Sequence, residues 1–116
     1  MDDRYVVNSV RSYSSGTVGR SLNTVGRHHF VIDSPSLGEE ITSADAFLSG
    51  ISSCGVTLVE RAAQADSVPL ERMEVTIEGV RDRARPSAFE RIDLRFRLFG
   101  VSQDQADALV ARYKDG

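Results

Sequence analysis

Cysteine is nearly missing from this chain. Cys54 is the only one in 116 residues, which excludes an intrachain disulfide and a cysteine-rich zinc site. Long apolar runs are missing too: no stretch approaches the roughly 20 residues of a membrane-spanning helix. The opening Met1-Asp-Asp-Arg-Tyr5 does not read as a secretion signal. Positive charge is not in excess, and a formal net charge of -3 leaves no electrostatic footprint for nucleic acid or an anionic membrane. Arg81, Arg83, Arg85, Arg91, Arg95 and Arg97 cluster in the sequence, but no aromatics alternate with them on an outward face, so the signal for a base-stacking platform falls short and a solvated sheet face or a rim against a partner subunit is the better reading. What remains is ordinary globular composition in a chain that suits one domain, residues 1–116, with a modest core. A lone thiol favours a reducing cytoplasm.

The N-terminal third reads as short strands: Tyr5–Val7, Val10, Val18–Leu22 and His29–Asp33, broken by Ser-Ser-Gly16 and by Asn23–Gly26. Pro35 and Gly38 make the following segment a loop. Thr42 then caps a helix, with Asp45 reaching back from its third position. Met73–Glu78 alternates apolar and polar residues. So does Arg91–Leu98, with Ile92, Leu94, Phe96 and Leu98 on the inward face. Between them, residues 81–90 form a charged loop containing Pro86. Ser102 and Gln105 make a second capping box before a short helix whose core face carries Leu109, Val110 and Tyr113. The order β-β-β-α-β-β-α predicts an α+β domain, mainly antiparallel sheet with a long central helix.

Cys54 sits in the middle of that central helix. Phe47, Ile51, Cys54, Leu58 and Ala62 follow helical spacing on one face. Gly50 and Gly55 each weaken a helix by about 1 kcal/mol against alanine, so their presence predicts that something, another helix first of all, approaches closely there. The helix is apolar around much of its circumference, which predicts burial on more than one side and a dimer. His28 and His29 are adjacent on a strand and point to opposite faces, so no metal site is expected from them. A thiol here is either packing filler or a nucleophile, and a nucleophile requires a cation or helix dipole and room for a substrate.

The segments His28-His-Phe-Val-Ile-Asp-Ser-Pro35 and Phe47-Leu-Ser-Gly-Ile-Ser-Ser-Cys-Gly-Val56 resemble the OsmC/Ohr family of osmotically induced and organic-hydroperoxide-resistance proteins. The last helix, Gln105–Lys114, is similar to the same pattern. The resemblance implies an intertwined α+β homodimer with the cysteine helix near the interface. It also implies a thiol-dependent peroxidase acting on small organic hydroperoxides in oxidative-stress defence, with no cofactor.

On this resemblance Cys54 is the peroxidatic cysteine. Arg20, in Val18-Gly-Arg-Ser21, matches the arginine that partners it, and Arg27 is the competing match. The family's carboxylate position falls on Ala44 beside Asp45. Nine residues of regular helix put Asp45 opposite Cys54, so Asp45 is equally a cap. Phe47, Ile51 and Leu58 are the candidate pocket residues. The family's resolving cysteine, in a Cys-Pro context after the last helix, has no counterpart in these residues. Either the sequence stops short of it, or an external thiol reductant regenerates Cys54. The alternative is a non-enzymatic dimer of the same fold, ligand-binding or stress-responsive, with a structural or oxidant-sensing Cys54.

Overall fold

The computed structural model describes residues 3–115. Its elements are β1 (Arg11–Ser14), β2 (Arg20–Val25), β3 (His28–Asp33), α1 (Ser43–Ala65), β4 (Arg72–Val80), β5 (Arg91–Phe99) and α2 (Gln103–Asp115). The order is the one expected, and the strands form two antiparallel sheets, β1-β2-β3 and β4-β5. The chain groups into two compact units, Met1–Ala46 and Phe47–Gly116.

In the first unit the strand boundaries depart from the sequence reading. Gly26 has φ 57° in the first position of a two-residue hairpin loop, where a type II′ turn requires a positive φ. That turn pairs Val25 with His28 and, five residues further along, Arg20 with Asp33. Asn23, expected to break the strand, lies inside β2 and is buried. It is tolerated because its amide is satisfied: Ser12 Oγ donates to Oδ1 at 2.6 Å, and Nδ2 donates to the Phe30 carbonyl at 3.2 Å. Val18 falls in the turn before β2 rather than in a strand.

Tyr5–Val7 and Val10 were expected as strands and are not. The reason is register. β1 pairs Arg11 with Thr24, so Val10 could meet only Val25, the last residue of β2, and residues 5–7 run past its end, where the chain turns at Gly26. A β-favouring sequence without a neighbouring strand has nothing to pair with.

The second unit holds the core. Met73, Val75, Ile77 and Gly79 of β4 stand opposite Leu98, Phe96, Leu94 and Ile92 of β5, so the inward residues of both strands share one face. Outward, Arg72, Glu74, Arg91 and Asp93 form exposed ion pairs along each strand, which contribute little to stability. Against the inward face α1 buries Gly55, Val59, Ala62 and Ala63, and α2 adds Leu109. Both capping boxes form: Asp45 N donates to Thr42 Oγ1 at 3.2 Å, and Gln105 N to Ser102 Oγ at 3.1 Å.

One expectation about α1 is corrected. Its buried face is Gly55-Val59-Ala62, about 100° around the helix from Cys54 at Gly55, while Phe47 and Leu58 are 56% and 43% exposed. Among the described residues no second helix approaches its glycines. A β-carbon on Gly55 would lie 3.4 Å from the Phe96 ring and 3.5 Å from Val75, both sheet side chains, and Gly50 faces open space. Sheet packing, not helix packing, therefore accounts for Gly55. Gly79 makes room for the Phe89 ring, which stacks on Phe47 with centroids 5.9 Å apart and planes 13° apart.

Candidate functional site

Cys54 is exposed on the open face of α1. It lines a groove of about 520 Å³ with Phe47, Gly50, Ile51, Leu58, Tyr113 and Lys114. Helical spacing puts Phe47, Gly50, Ile51, Cys54 and Leu58 on one face, and α2 contributes the last two. The three pocket residues named from sequence do gather around the thiol. Phe47 is held in place by its stack on Phe89, over whose ring the Arg81 guanidinium lies at 5.5 Å. Tyr113 is fixed by the Phe96 ring, 5.5 Å away at an interplanar angle of 59°. A thiol with apolar walls and solvent access is thereby open to an apolar molecule.

The candidate arginine has its own cluster in the first unit. Arg20 Nε donates to Asp33 Oδ1 at 2.6 Å, and Nη2 donates to Asp33 Oδ2 and to Glu39 Oε1, each at 2.8 Å. Asp33 is fully buried and also accepts the backbone N–H groups of Glu40 at 3.0 Å and Glu39 at 3.2 Å. The Arg20 hydrogen bonds hold the Asp33 carboxyl down at about 2, against the opposing effect of its burial. The same bonds, from Asp33 first and Glu39 second, raise the Arg20 guanidinium above its already high value. Arg20 is thus a permanently charged, rigidly oriented fork. Its Nη1 makes no hydrogen bond among the described residues, leaving donors available for a negatively charged oxygen.

The pH dependence follows from the direction of the Asp33 shift. A carboxyl whose folded value lies below its ordinary 3.8 stabilises the fold fully above that value and loses this contribution as pH falls toward about 2. Acid titration followed by circular dichroism is expected to show loss of β-structure within that interval. In Asp33→Asn that pH-dependent step disappears.

The other two candidates have different surroundings. Arg27 is exposed in the hairpin turn, at the far end of the β2–β3 ladder from Arg20. Asp45 is occupied by the cap, its Oδ2 accepting from Thr42 Oγ1 at 2.9 Å and from Thr42 N at 3.3 Å. Sequence reasoning missed Asp33 and Glu39 as partners of Arg20. The two-residue turn at Gly26-Arg27 carried the signal, because counting outward from it pairs residue 20 with residue 33. Tyr113 was read as core only, and nothing in the sequence pointed to Lys114. Among the described residues no three His, Cys, Asp or Glu side chains gather as a metal site.

This α+β architecture with its thiol-bearing helix matches a known family. The family model for OsmC-like protein fits residues 36–115, and the chain belongs to that family. Among solved structures, an OsmC-like protein from Mycoplasma pneumoniae superposes with a TM-score of 0.83 at 12% identity, covering 95% of this chain and 82% of that one. The organic hydroperoxide resistance protein OsmC of Legionella pneumophila gives 0.71 at 20% identity, covering 95% and 83%. The organic hydroperoxide resistance protein OhrB of Bacillus subtilis gives 0.67 at 15% identity, covering 95% and 84%. Identities this low establish the fold alone. No curated protein matches the chain by sequence.

Proposed function

We propose that this protein is a thiol-dependent peroxidase that reduces small organic hydroperoxides through Cys54, with Arg20 as the partner of the thiolate. The observation that carries the reading is the exposed thiol in an apolar groove on the long helix of an OsmC-like fold. Two of the structural relatives are named for organic hydroperoxide resistance, which supports the same substrate class here.

The Cys54 thiolate attacks the distal peroxide oxygen. An S–O bond forms, the O–O bond breaks, and the electron pair leaves with the alkoxide, which takes a proton and departs as the alcohol. Sulfur is oxidised by two electrons to sulfenic acid. An external thiol condenses with the sulfenic acid, releasing water and forming a mixed disulfide. A second thiol then frees Cys54 and leaves as the oxidised disulfide. Arg20 suits the first step because it never deprotonates and offers fixed donors for an oxyanion. No cofactor enters the scheme, and a cytoplasmic pool of small thiols is its natural reductant.

A homodimer completes the reading. Tyr5, Val6, Val7 and Val10 are all more than half exposed, and β4 and β5 each present an unpaired edge. Apolar side chains and open edges of this kind mark contact surfaces.

The test is mass spectrometry after a few equivalents of cumene hydroperoxide with a sulfenic-acid trap present. Rapid, saturable trapping at Cys54, faster than with hydrogen peroxide, is the expected result. A Cys54 that stays unmodified overturns the peroxidase reading.

A further inference from the structure

We draw no further inference here: the strongest candidate, the groove between α2 and the edge of β5 lined by Phe96, Leu98, Ala106 and Val110, has nothing in the structure to show what covers it, and a second copy of the chain seated there would only restate the homodimer already proposed.

Discussion

Cys54→Ser is expected to reduce hydroperoxide consumption to the uncatalysed rate while leaving fold and assembly intact. A serine hydroxyl at the same position is not ionised at neutral pH and is not oxidised by peroxide, so both the nucleophile and the redox step are lost. Because Cys54 is exposed and its thiol makes no hydrogen bond among the described residues, the substitution removes little packing. Stability is therefore expected within about 0.5 kcal/mol of the native protein. Peroxide consumption with a dithiol reductant, set beside urea unfolding and gel filtration, checks both halves. A variant as active as the native protein eliminates Cys54 as the nucleophile. One that unfolds would make Cys54 structural.

Leu109→Ala is expected to give the largest loss of stability, about 3 kcal/mol within the 2–5 typical of buried leucine truncations. Leu109 is only 2% exposed and joins α2 to Val59, Ala62 and Ala63 of α1. Against a total of roughly 5–15 kcal/mol for an ordinary domain, that loss shifts a urea midpoint severely. Leu58→Ala serves as the contrast: Leu58 is 43% exposed, so its truncation is expected to lower stability by less than about 1 kcal/mol. Both are to be measured at one protein concentration, since self-association would shift either midpoint. A Leu58 loss equal to that of Leu109 would reverse the assignment of the two faces of α1. Leu109→Ala should also raise the KM for an apolar peroxide, because α2 carries Tyr113 and Lys114 into the groove.

The sequence was informative where one local rule dominates. Thr42 with Asp45 and Ser102 with Gln105 announce both helix starts, because capping is settled within four residues. The alternation of Met73–Glu78 and Arg91–Leu98 announces β4 and β5, and the opposed inward residues of the two strands confirm it. The resemblance around Phe47–Val56 led to the OsmC-like family, which the match over residues 36–115 establishes. Local rules misled where pairing decides. Tyr5–Val7 has strand-forming residues but no partner strand among the described residues. Asn23 has a turn-forming side chain, yet Ser12 and the Phe30 carbonyl satisfy it inside β2.

The site divides the same way. Cys54, Phe47, Ile51 and Leu58 were legible together because helical geometry alone sets them on one face. That this face is the open one was not legible. An apolar residue on a helix records only that it favours burial, and the sheet reached the Gly55-Val59-Ala62 side, where a missing β-carbon lets Phe96 and Val75 approach. Arg20 was found by resemblance, but its anchor was not, since Asp33 lies thirteen residues away and meets it only through the hairpin register. By itself the sequence determined the two helices, the β4–β5 pair and the thiol, because capping, periodicity and residue chemistry act over a few neighbours. Only the tertiary structure decided which helix face stays open, what clamps Arg20 and where the groove runs, because those depend on which distant side chains compete for the same space.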